Sequence, residues 1–152
     1  RYTNALYFYN AITSGTLGGS GQGLAGATGS QLAVVNACKS TPSPGQNWCA
    51  AWVTNVFKAA GVGTYGGNAC DMVKAWCHSN NPAELKVGMI VGDVSHPGTG
   101  TPGLLYGHVG IYIGDGKVMD SIYSGLRTIS LSDWVSQNGR GWVVCGYPWD
   151  WR

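Results

Sequence analysis

The sequence predicts an α+β fold, on two observations. Helical periodicity is confined to the first half of the chain, roughly residues 31–77. Short alternating segments punctuated by glycine fill the second half, from about residue 88. Helices first and sequence-adjacent strands afterwards point to an antiparallel sheet with the helices packed on it.

Residues 1–30 read as a lead-in: Tyr2, Leu6, Tyr7, Phe8, Tyr9 and Ile12, then a glycine-rich stretch from Gly15 to about Gly29 that has the composition of a linker or a long loop. The domain proper is expected over 31–152. A first helix begins at Ser30, a good N-cap, and carries Leu32, Val35 and Ala37 to about Lys39. Ser40-Thr41-Pro42-Ser43-Pro44-Gly45 breaks it. The strongest helix is expected over 47–60, where Cys49, Val53, Val56, Phe57 and Ala60 share one face and Gly61 and Gly63 stop the run. A short helix over 71–77 ends before Ser79-Asn80-Asn81-Pro82. Strands are expected over 88–94, 108–113, 117–121, 126–129 and 141–147, with a short helix over 130–135. Gly114-Asp115-Gly116 forms a hairpin turn between the second and third of these strands.

Composition sets bounds on function. At 152 residues the chain suits one domain with a core of its own. Charged residues are only 11 %, about half the usual share, while 25 glycines, 7 tryptophans and 8 tyrosines point to turns, loops and aromatic surfaces. The net charge of +2 is mild and the basic residues are scattered, which argues against a nucleic-acid partner. No apolar run approaches the roughly 20 residues of a membrane helix. The chain starts Arg1-Tyr2-Thr3 without an initiator Met, so we expect a processed piece of a longer protein.

The five cysteines are Cys38, Cys49, Cys70, Cys77 and Cys145. The absence of any CxxC pair argues against a zinc ribbon or a thioredoxin-like site, and Cys77-His78 is too isolated to suggest a metal. No metal or cofactor is expected. An even set of structural cysteines plus one functional thiol would suit an extracellular protein, and a reduced cytoplasmic chain with five unpaired thiols is the other reading. Cys38–Cys145 with Cys70–Cys77 is one such pairing, although seven residues of continuous helix would hold the latter two about 10 Å apart.

Three residues carry candidate chemistry. Cys49 stands in the first turn of the best helix, where the partial positive charge of the terminus favours an anion. His108 opens one strand of the hairpin and Asp120 lies on the other, so the hairpin brings a carboxylate beside an imidazole. That arrangement fixes the ring's tautomer and supports the imidazolium formed when it takes a thiol proton. The bland reading of the same residues is a buried core cysteine, a strand-end histidine and a turn-capping aspartate. His96, in a loop, is a rival base and a candidate cleft residue. His78 is expected to meet helix-terminal carbonyls. Gln46 and Asn47 are candidate oxyanion donors beside the Cys49 N–H. Trp48, Trp52 and Tyr106 are candidate substrate-binding residues, and Trp142 a further cleft wall, with core packing the competing role.

Trp48-Cys49-Ala50-Ala51-Trp52-Val53, followed by a helix, and Tyr106-Gly107-His108-Val109-Gly110-Ile111-Tyr112-Ile113-Gly114-Asp115-Gly116-Lys117-Val118-Met119-Asp120 together resemble the NlpC-type and CHAP-type cell-wall hydrolases, over roughly residues 31–147. The resemblance implies a papain-like fold in which the nucleophile at a helix start packs on an antiparallel sheet. It implies Cys49 as nucleophile, His108 as base and Asp120 as the polar third residue. It further implies hydrolysis of peptide or amide bonds in bacterial peptidoglycan, endopeptidase more than amidase, by a secreted or surface protein acting on stem peptides. The chain departs from NlpC-type sequences in having Trp48-Cys49-Ala50-Ala51 where they carry Asp-Cys-Ser-Gly, so their stem-peptide specificity does not transfer. The alternatives are a non-catalytic wall-binding module on the same fold, or a thiol acyltransferase.

Overall fold

A computed structural model describes residues 21–45, 48–79, 82–93, 107–138 and 144–146. Among them the chain forms four α-helices and one antiparallel sheet. The helices are α1 (Gly29–Ser40), α2 (Cys49–Ala59), α3 (Ala69–Trp76) and α4 (Leu131–Asn138). The strands are β1 (Cys77–Ser79), β2 (Ile90–Asp93), β3 (His108–Gly114), β4 (Lys117–Ile122), β5 (Gly125–Ser130) and β6 (Val144–Gly146), in the spatial order β1-β6-β2-β3-β4-β5. The α+β expectation therefore stands.

The boundaries move for local reasons. The N-cap of α1 lies two residues earlier than expected: it is Thr28, not Ser30. Gln31 Oε1 accepts the Thr28 N–H at 3.1 Å, the return half of a capping box that Ser30 is placed too late to form. α3 likewise begins at Ala69 behind Asn68, whose N–H donates to Asp71 Oδ2 at 2.9 Å. It stops at Trp76, so Cys77 and His78 belong to a short strand, not to a helix end.

The core lies where α2 and α3 meet the sheet. Trp52, Val53, Val56 and Phe57 of α2 and Met72 and Val73 of α3 are buried together with Ile90, Val91, Val109, Ile111 and Val118. All seven residues of β3 are buried. Its alternation is therefore not core against solvent but two covered faces, as befits an inner strand. The β3–β4 hairpin turns through Asp115 (φ 52) and Gly116 (φ 73), both left-handed, the backbone of a two-residue turn matching strand twist.

Residues 21–28 are ordered, although the sequence reads as linker there. The Gln22 N–H donates to Leu85 O at 2.8 Å, and Gln22 Oε1 accepts from Val87 N–H (3.0 Å) and Gln31 Nε2 (2.7 Å). Tyr112 Oη donates to Gln22 O, and the Leu24 N–H to Asp115 Oδ1. A boundary at residue 30 would fall in the first turn of α1 and part this strap from the residues that hold it; residues 1–20 lie outside the described part.

The disulfides of that one possible pairing are not formed. Cys38 and Cys70 are free thiols, which removes both the Cys38–Cys145 and the Cys70–Cys77 pairing. Burial pushes the Cys38 thiol up to about 12, with Lys39 opposing weakly, so Cys38 is an inert core group.

Candidate active site

Cys49 is the first residue of α2, and its helix runs from there into the core, which fixes its position against the sheet. His108 is the first residue of β3 and is almost completely buried. Cys49 lies close enough to act on the charge of His108. His108 Nε2 meets Asp120 Oδ2 at 2.8 Å. The three residues thus stand together, contributed by α2, β3 and β4.

The hairpin delivers Asp120 diagonally rather than directly. Ile111 pairs with Met119, so Gly110 stands opposite Asp120, and His108 is the next residue on that face. A Cβ on Gly110 would lie 3.2 Å from Asp120 Cβ and 3.0 Å from Met119 O. The glycine keeps the space through which the imidazole and carboxylate meet.

Two side chains that sequence reasoning missed complete the site. Arg127 on β5 stands opposite Asp120 in the β4–β5 ladder. Its Nε donates to Asp120 Oδ1 at 3.1 Å and its Nη2 to Oδ2 at 2.7 Å. Trp134 on α4 donates Nε1–H to Asp120 Oδ2 at 2.8 Å and stacks its ring on His108, 5.8 Å between centroids and 22° between planes. The Arg127 signal was present: the turn at Tyr123-Ser124 pairs Ile122 with Gly125 and hence 120 with 127. No local pattern announces Trp134, which arrives by helix packing.

The electrostatics follow from this network. Burial works against a charged His108, but the hydrogen bonds to Asp120 and Cys49 and the attraction of both groups outweigh it, raising the imidazole to about 10. Burial also works against the Asp120 carboxylate. Its bonds to His108 and Arg127, and their charges, win and hold it below the usual carboxylate range.

The remaining candidates separate. Trp48, 59 % exposed at the N-cap of α2, is open to solvent beside Cys49. Trp52 offers no surface to a substrate, a correction of the sequence expectation. One turn further into the helix its side chain points to the core, and its Nε1–H is taken by Thr41 O at 3.1 Å. Gln46, Asn47, His96, Tyr106 and Trp142 lie outside the described residues. Among the described residues no cluster of three or more His, Cys, Asp or Glu is arranged to hold a metal, and no helix is long and apolar enough to cross a membrane.

No protein-family model matches the chain, and no curated protein matches it.

Proposed function

We propose that the chain is a papain-like cysteine hydrolase that cleaves peptide or amide bonds of bacterial peptidoglycan. The observation that carries this reading is Cys49 at a helix start beside the hydrogen-bonded His108–Asp120 pair of the hairpin. His108 takes the Cys49 proton. Sγ forms a bond to the carbonyl carbon as the C=O electron pair moves to oxygen. Collapse breaks the C–N bond, the imidazolium giving its proton to the leaving nitrogen, and a thioester remains. Water, deprotonated by His108, adds to the thioester; the C–S bond breaks, releasing the acid and restoring the thiol. The Cys49 N–H, in the first turn of α2 and without an intrahelical acceptor, is the first oxyanion donor, and Gln46 or Asn47 the second. Trp48 lines the approach.

The substrate class rests on the resemblance of the Cys49 and His108 segments to cell-wall hydrolases. Mass spectrometry of fragments released from purified peptidoglycan tests it. The expected result is stem-peptide products with new amino and carboxyl ends, absent with Cys49→Ala. Equal release by Cys49→Ala, or intact wall after treatment with the unmodified chain, would sink the reading.

A further inference from the structure

Asp120 does more than touch His108: its Oδ2 is an acceptor shared by three side chains from three elements. His108 Nε2 (2.8 Å), Arg127 Nη2 (2.7 Å) and Trp134 Nε1 (2.8 Å) converge on it, while Arg127 Nε holds Oδ1. The guanidinium is itself fixed, since its Nη1 donates to Gln137 Oε1 of α4 at 2.7 Å. The Trp134 ring, fully buried, lies flat against the imidazole. Such an arrangement leaves the carboxylate one orientation and the imidazole one plane.

We propose that Arg127 and Trp134 are positioning residues for the Cys49–His108 pair, Arg127 by clamping Asp120 as the anion and Trp134 by donating to the same oxygen while its ring sets the imidazole plane. The proposal rests on the cysteine-hydrolase reading of this site but not on peptidoglycan as substrate. The forked guanidinium matters because two parallel donors fix a carboxylate in angle as well as distance. The ionisable groups around the imidazole are Cys49 from α2, Asp120 from β4, Arg127 from β5 acting through Asp120, and Asp93, opposite His108 in the β2–β3 ladder. Of these, Arg127 bonds both oxygens of Asp120, so its removal changes Asp120 first.

The test is the pH dependence of Cys49 alkylation by iodoacetamide, mapped by peptide mass spectrometry, in the whole chain. It needs the thiol and its partners but no wall substrate. Losing a donor to the anion makes Asp120 easier to protonate. Arg127→Met should therefore move the acid limb of Cys49 alkylation up by about one pH unit and slow the plateau by roughly tenfold, the usual scale for outer partners of a reacting group. Arg127→Lys keeps a cation without the fork and should restore the limb more than the plateau. Trp134→Phe keeps a ring but loses the donor and should move the limb in the same direction. A merely structural role would lower the rate in step with the folded fraction, read by circular dichroism, and leave the limb in place. An unmoved limb in folded Arg127→Met overturns the proposal. If that variant does not fold, an unmoved limb in Trp134→Phe overturns it. Should Cys49 of the unaltered chain react no faster than Cys70 and ignore His108→Gln, the cysteine-hydrolase reading falls with it. A His108-dependent limb that ignores Arg127 and Trp134 overturns this inference alone.

Discussion

At the residue scale the balance of forces around Asp120 sets both stability and pH response. Removing this fully buried carboxylate orphans donors from His108, Trp134 and Arg127 at once. Breaking a buried ion pair from one side costs about 3–5 kcal/mol. Asp120→Ala should therefore lower the unfolding free energy in urea by about that much, while keeping part of its activity because Asp120 orients rather than reacts. An unchanged denaturation midpoint would count against the network. The pH signs follow from the two shifts. His108 is raised in the folded state, so its contribution to stability is complete below the unfolded value of about 6.5 and is lost as pH rises through about 10. Asp120 is lowered, so its contribution is present above the unfolded value of about 3.9 and is lost as pH falls from there through its folded value. In the proposed hydrolysis the imidazolium must also protonate the leaving nitrogen. Hydrolysis should thus hold through neutral pH and decline as pH rises through about 10, an alkaline limb that titration of kcat/KM would reveal or refute.

At the element scale the hairpin is the part of the site most legible in the sequence. A short glycine turn with alternating flanks places His108 and Asp120 on one strand pair whatever the rest of the chain does. The diagonal register was less legible, because it depends on a glycine that contributes by having no side chain. A Cβ at Gly110 would lie 2.9 Å from Val118 Cγ1 and 3.0 Å from Met119 O, and backbone cannot give way cheaply. Gly110→Ala should destabilise by about 2 kcal/mol, the usual scale of overpacking, and slow Cys49 alkylation by forcing β3 and β4 apart where the carboxylate meets the ring. Thermal unfolding and the iodoacetamide rate check both halves; a variant that melts earlier but reacts normally would show that the register is not what places Asp120. β5 and α4 were less legible still. β5 is half exposed, so its pattern marks a strand without marking which residue faces the site. α4 was expected from Ser130-Leu131-Ser132-Asp133, but the direction of Trp134 is decided only by tertiary packing.

At the scale of the whole molecule, composition misled where hydrogen bonds from distant residues decide order. The glycines of residues 21–28 carry the signature of a linker, yet the strap is tied down by groups from residues 31, 85, 87, 112 and 115, none of which a local window contains. The cysteine count left pairing open in the same way, since an odd number says nothing of distances; a domain of this size closes its core without a Cys38 or Cys70 bridge. The strap gives a last prediction. Gln22 Oε1 is the acceptor for the buried Val87 N–H, whereas Gln31 Nε2, its other donor, keeps Val87 O at 3.1 Å as an alternative. Gln22→Ala therefore removes the side-chain bonds that tie the strap to Val87 and Gln31, each worth about 0.5–1.5 kcal/mol, and frees the strap to fray. The strap meets the hairpin at Tyr112 and Asp115, the turn end of β3, while His108 opens the strand at its other end. Limited proteolysis should then cut faster within 21–28, and Cys49 alkylation below the melting temperature should keep its rate and its acid limb. A slowed alkylation in the folded variant would mean that the strap and the site open as one unit, with β3 transmitting the loss along its whole length.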